Sequence, residues 1–139
     1  MARLWVERNK EDGSWDAFSD DGAHIKFGRG SDPGVFSPGD LSKIALAACA
    51  ALSSQFAVES ALGEGNGARI VVDANYDDET DSYLSFNEQV VVDAMEAGLD
   101  EAAAQKLAER VRRHIEKGCT VMHTYVKETP VRMDVDIRH

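Results

Sequence analysis

The chain opens with alternation. Leu4, Val6 and Arg8 fall on one face and Arg3, Trp5 and Glu7 on the other, the period-two pattern of a strand. Asp12-Gly13 is a turn signal. A short strand is expected around Trp15 to Phe18, a second turn at Asp21-Gly22, and a third strand from His24 to Phe27. Together they predict a three-stranded antiparallel meander, with Leu4, Val6 and Arg8 on its inward face. A loop rich in Gly, Ser and Pro covers residues 28–39. Ser37-Pro38 then starts a helix, Ser37 as cap and Pro38 at the first helical position. That helix is expected to run to about Leu62 and stop at Gly63, with Leu41, Ala45, Ala48, Leu52 and Phe56 as its buried face.

Strands return at Arg69 to Tyr76 and, after an acidic turn, at Tyr83 to Ala94, where Leu84, Phe86, Val90 and Val92 are in phase. Asp100 caps a second helix whose stripe is Ala104, Leu107, Ala108, Val111 and Ile115, and Gly118 closes it as a left-handed C′ residue. A short third helix is predicted over 119–126. Beyond Pro130 the alternation is the cleanest in the chain: Val131, Met133, Val135 and Ile137 inward, Arg132, Asp134, Asp136 and Arg138 outward, a final strand. Helices and strands are segregated, so the fold class is α+β and the chain reads as one domain, residues 1–139.

Charge and length narrow the function. A net charge of −10 repels phosphate backbones, so no nucleic acid is expected as a partner. Glu7 and Arg8 interrupt the N-terminus before a leader-like apolar run forms, and the apolar run Ile44 to Leu52 is too short to span a bilayer. The expectation is a cytoplasmic protein without membrane contact, whose two cysteines are reduced thiols. Two cysteines cannot close an all-cysteine zinc site. Cys119 and His123 share a helical spacing, but His24, His114 and His139 add no ligand pattern, so neither metal nor cofactor is expected.

Two stretches carry candidate chemistry. One is Pro38-Gly39-Asp40-Leu41 followed by Ala47-Ala48-Cys49 on a helix made slim by Ala45, Ala47, Ala48, Ala50 and Ala51; the other is Gly118-Cys119-Thr120-Val121 after the second helix. A cysteine in an alanine-rich helix also packs well as a small hydrophobe. Together, in this order and ahead of a final strand, the stretches resemble the OsmC/Ohr family. The resemblance covers about Trp5 to Ile137. It implies an intertwined homodimer that reduces organic hydroperoxides, in which Cys49 is peroxidatic and Cys119 resolving, and a dithiol such as a lipoyl protein reopens the disulfide.

Peroxide attack needs a thiolate. Cys49 lies mid-helix, where the helix dipole helps little, so the expectation is a cation from elsewhere, while Cys119 at a helix start enjoys the dipole. The family places a glutamate ten residues before the first cysteine to hold an arginine from the first hairpin. Gly39 occupies that position here, and Asp40 follows it. On a straight helix nine residues turn through ~900° and rise ~13 Å, so Asp40 cannot touch Cys49. It either orients the arginine or is a favourable first-turn acid. Arg8 is the first candidate for that arginine and Arg29 the second. Thr120 replaces the proline usual after the second cysteine. These departures leave an alternative, a non-catalytic small-molecule binding or structural protein of the same fold.

Overall fold

The computed structural model describes residues 3–138; Met1 and Ala2 of the N-terminal reading and His139 of the histidine set lie outside the described residues. The chain divides into two compact units, residues 1–44 and 45–139.

In the first unit, β1 (Leu4–Arg8), β2 (Trp15–Ser19) and β3 (His24–Phe27) form the expected antiparallel meander in the order β1-β2-β3. Gly13 and Gly22 take positive φ in its two turns. The inward face differs from expectation: Leu4 and Val6 are 74% and 59% exposed, and Arg8 is exposed too. Rings pair on both faces: Trp15 and Phe27 lie 6.0 Å apart on the face of Leu4 and Val6, and a second set lies on the opposite face. Trp5, Phe18 and His24 are cross-strand neighbours, and their rings stack at 5.5 and 4.8 Å. On that face His24 Nε2 bonds the buried Asp16 carboxylate at 2.6 Å, and Lys26 Nζ lies 3.3 Å away, so the acid is neutralised where water is scarce. The His24 bond is the main reason the Asp16 pKa lies below its ordinary value.

The long helix α1 (Pro38–Leu62) begins in this unit and continues in the second. Its start is a capping box. The Asp40 N–H donates to Ser37 Oγ, and the Ser37 N–H donates to Asp40 Oδ2, both at 3.1 Å. It ends where expected, at Gly63 with φ +106°. Gly63→Ala should cost on the order of 1 kcal/mol because a Cβ is strained at that φ. Gly67→Ala, where φ is not positive, should leave the urea midpoint nearly unchanged by comparison.

The second unit adds β4 (Arg69–Asp77), β5 (Ser82–Val91), α2 (Glu101–Gly118) and α3 (Thr120–Tyr125). β4 and β5 pair antiparallel. Asp100 Oδ1 accepts the Ala103 N–H at 2.8 Å and starts α2 as predicted. The core gathers Leu46, Ala50, Ala57 and Val58 of α1, Leu107, Val111 and Ile115 of α2, and Cys119, with Ile70, Phe86 and Val90 against them.

Several expectations fail here for physical reasons. The predicted face of α1 is the wrong one: Leu52 and Phe56 are 73% and 70% exposed, and Ala45 and Ala48 are exposed as well. The helix is apolar on every side, so periodicity cannot choose a face. By length and composition α1 could also cross a bilayer, which the run Ile44 to Leu52 alone did not suggest; here it supplies four of the core residues. In β5 the register slips between Asn75 and Tyr76, so Asn75 faces Ser85, Tyr76 faces Tyr83, and Leu84 is the extra residue of a bulge. Leu84 is therefore exposed, and Tyr83 joins Phe86, ring to ring at 5.5 Å. β5 also ends at Val91, ahead of a single 3-10 turn at Met95–Ala97. On α2, Ala104 and Ala108 are exposed while Leu107, Val111 and Ile115 are buried as expected. Gly118 is not a left-handed cap; it is the last helical residue, and Cys119 in an extended conformation does the capping. Residues 131–137 form no strand. Val131, Met133, Val135 and Ile137 are all at least 71% exposed. Alternation gives a segment a sheet-compatible face, but a strand also needs an edge to pair with.

Candidate active site

Both cysteines belong to the second unit and are free thiols. Cys49 is carried on α1 beside the core residue Ala50 and stays half-buried; Cys119 is fully buried. Cys119 is the one non-helical residue between α2 and α3, with φ −83° and ψ 94°. That break starts α3 afresh, and its first amides have no helical carbonyl to bond.

Those amides act on Cys49. The Val121 N–H does most to hold the Cys49 thiol below its ordinary pKa, against partial burial, with further help from the Cys119 thiol, the Thr120 N–H and the Ser53 hydroxyl. Each group donates to the thiolate and so favours it. Cys119 moves the other way. Burial pushes its thiol up first; the Met122 N–H offsets part of this, and its bond to Cys49 and the Glu88 carboxyl add to the rise. The two thiols therefore interact directly and are shifted in opposite directions, Cys49 down and Cys119 up.

The helix start, expected to favour Cys119, acts on Cys49 as well: the α3 amides lower the Cys49 pKa, and burial of Cys119 outweighs the Met122 N–H that favours its own thiolate. Thr120 has a part in this, because a proline in its place would have no N–H to offer. His123 lies aside, with Nε2 donating to the Glu116 carbonyl at 2.6 Å.

The other candidates belong to the first unit. Arg8 folds over its own hairpin, where Nε donates to the Gly13 carbonyl at 2.9 Å and the guanidinium lies 5.8 Å above the Trp15 ring. Arg8 and Arg29 line one cavity of about 680 Å³ with Trp15, Phe27 and Asp32. Asp40 is engaged in the capping box, and the Ser37 N–H is the main reason its carboxylate is held below the usual range.

Sequence reasoning missed Ser53 and Glu88, and singled out the Cys119-Thr120-Val121 stretch without assigning a role to the Val121 N–H. A backbone donor leaves no trace in residue type. Glu88 did leave one: it interrupts the apolar phase of Phe86 and Val90 on β5.

No family model matches the chain. An uncharacterized protein of Mycobacterium tuberculosis is 33% identical over 135 residues, which is 97% of this chain and 96% of that protein. An uncharacterized protein of Mycobacterium bovis matches to the same extent. Among solved structures, an OsmC-like protein of unknown function from Vibrio cholerae superposes with a TM-score of 0.58 at 14% identity, over 89% of this chain and 92% of the other. A second solved chain, from structural genomics, gives a TM-score of 0.51 at 21% identity over 86% of this chain and 85% of the other. These likenesses, with antiparallel sheets and a long helix, establish an α+β fold of the OsmC type. The chain thus belongs to one family with the uncharacterized mycobacterial proteins, and its fold is OsmC-like.

Proposed function

We propose that the protein is a cysteine-based peroxidase that reduces organic hydroperoxides. The observation that carries this reading is the unequal cysteine pair: a half-buried thiol whose pKa is lowered by surrounding donors, hydrogen-bonded to a buried thiol whose pKa is raised. The Cys49 thiolate attacks the terminal peroxide oxygen. The O–O bond breaks, Cys49 becomes a sulfenic acid, and the alkoxide leaves as an alcohol after taking a proton. Cys119 then attacks the Cys49 sulfur, a disulfide forms, and the sulfenic oxygen departs as water. A dithiol reductant reopens the disulfide and is itself oxidised. The apolar surroundings of Cys49 favour an alkyl peroxide over hydrogen peroxide.

Arg8 or Arg29 stabilises the Cys49 thiolate, and Asp40 holds that arginine. The working form is a cytoplasmic homodimer. Its support is the apolar surface left open at Leu52 and Phe56 of α1 and along residues 131–137, which a second copy would cover. Light scattering at micromolar concentration should return twice the chain mass.

The test is intact mass after one equivalent of an organic hydroperoxide is added to the reduced protein. A rapid loss of two hydrogens is expected, and Cys49→Ser should abolish it. An unchanged mass with both thiols free would favour the second reading, a binding protein of the same fold. That reading draws on Gly39 in the place of the usual glutamate and on the engagement of Asp40 in the helix cap.

A further inference from the structure

Between β5 and α2 the second unit holds a cavity of about 460 Å³, walled by Val90, Val92, Leu99, Leu107, Val111 and Ile115. Neither cysteine lines it. Its polar lining is Glu88, with Arg112 and Glu116 of α2. Glu88 Oε1 is buried and has no hydrogen-bond partner, the one buried side-chain oxygen or nitrogen so placed among the described residues. An oxygen in that condition is costly and is retained in folded proteins where something completes it. A neighbouring cavity of about 450 Å³, with Tyr83, Phe86 and Tyr125, shares Glu88 and Met122 with the first, so the same carboxyl borders both.

From this arrangement we propose that the β5–α2 cavity is a binding site for a small amine with an apolar body, its ammonium group paired with Glu88. The walls fit an aliphatic or aromatic body, and the volume is that of a small-molecule site. The polar end must donate, because the unfilled atom is an acceptor. A cation fits better than a neutral donor on two grounds. Acids outnumber bases on the lining, and the net charge of −10 draws cations and repels carboxylates. Burial alone pushes the Glu88 carboxyl up, a cost that a paired ammonium would offset. Glu88 also acts on Cys119, but occupancy of the cavity is read by binding alone and needs no redox step.

Titration of the full chain with n-hexylamine, hexanoate and hexanol, followed by amide NMR shifts, tests the proposal. Hexylammonium should give saturable shifts at Glu88, Val90 and Val111, at least about tenfold tighter than hexanoate. Glu88→Gln should weaken hexylammonium by about tenfold or more while hexanol changes little. Ala108→Leu, an exposed helical position on the cavity wall, should narrow the site and weaken both with Glu88 intact, which keeps the test open if Glu88→Gln fails to fold. Equal affinity for hexanoate, an unchanged affinity in Glu88→Gln, or no saturation at millimolar probe would overturn the assignment. So would shifts at these amides that follow protein concentration instead of probe, since a second copy would then fill the cavity.

Discussion

Cys119→Ser should convert the proposed peroxidase from an enzyme that turns over into one that reduces about one equivalent of hydroperoxide and stops. The loss of steady-state rate should be on the order of a hundredfold or more, because the regenerating disulfide cannot form. The first step needs only Cys49, whose strongest donor is the Val121 N–H and not Cys119. The burst should therefore survive, slowed modestly by the loss of the Cys119 donor. What changes is the fate of the sulfenic acid. Without a thiol beside it, further peroxide drives Cys49 to the sulfinic acid, so intact mass should rise by one and then two oxygens instead of falling by two hydrogens. A sulfenic-acid trap added during the burst should label the variant and not the wild type. Cys119 is fully buried, and a serine hydroxyl there costs about 1–3 kcal/mol if unpaired. Cys119→Ala avoids that penalty and should show the same chemistry. Unimpaired turnover in both variants would remove Cys119 from the mechanism.

The sequence allowed the element order to be read closely, because the signals were local. Ser37-Pro38, Gly63 and Asp100 act on the backbone within a turn of their own position, and each marks a helix end in the structure. Faces were less legible. The pattern of β1 points to Leu4 and Val6 as its inward side, yet both stay exposed and rings pair on either face, Trp5 with Phe18 and His24 on one and Trp15 with Phe27 on the other, a choice made by cross-strand neighbours that one strand does not display. On α1 alanines and leucines surround the axis, so only packing against α2 and the β4–β5 hairpin reveals that Leu46, Ala50 and Val58 are buried. The bulge at Leu84 shifts one residue against its partner strand, an event between strands and not within one. Residues 131–137 have a strand's pattern and no strand, since pairing needs an edge that alternation cannot supply.

The site divides the same way. Cys49 and Cys119 stood out by residue type and were placed together by the fold. The groups that tune them were hidden, because an amide N–H belongs to every residue but proline. Which amides face a sulfur is decided by the one-residue break at Cys119. Asp40, chosen by its distance along the chain from Cys49, is a partner of Ser37 in a capping box. Ser-x-x-Asp before an apolar run carried that message already, as the shorter relative of the usual Ser-x-x-Glu box.

If backbone donors set the reactivity of Cys49, proline substitutions in α3 should grade it. Val121→Pro removes the strongest donor, Thr120→Pro a weaker one, and Val121→Ala neither. Neither amide bonds within the helix at these first-turn positions, so proline deletes a donor to sulfur without deleting a helix bond. Thr120→Pro is the gentler change. It sets proline at the first helical position, where its φ is favourable, behind a Cys119 that is already extended at ψ 94°. Val121→Pro also presses on the helical conformation of Thr120, and Val121→Ala controls for loss of the side chain alone. A hydrogen bond to a charged group is worth about 1.5–3 kcal/mol, and half-exposure of Cys49 favours the lower figure, so iodoacetamide alkylation at neutral pH should slow about tenfold in Val121→Pro. The sign follows from the thiolate: losing a donor raises the Cys49 pKa, lowers the thiolate fraction below that pKa, and leaves rates converging at alkaline pH where every variant is ionised. Rates should rank wild type and Val121→Ala together, then Thr120→Pro, then Val121→Pro, with the profile displaced to higher pH in that order. Four superimposable profiles would mean that the α3 amides do not set the charge on Cys49, and would turn the search to a cation supplied from elsewhere, Arg8 or Arg29.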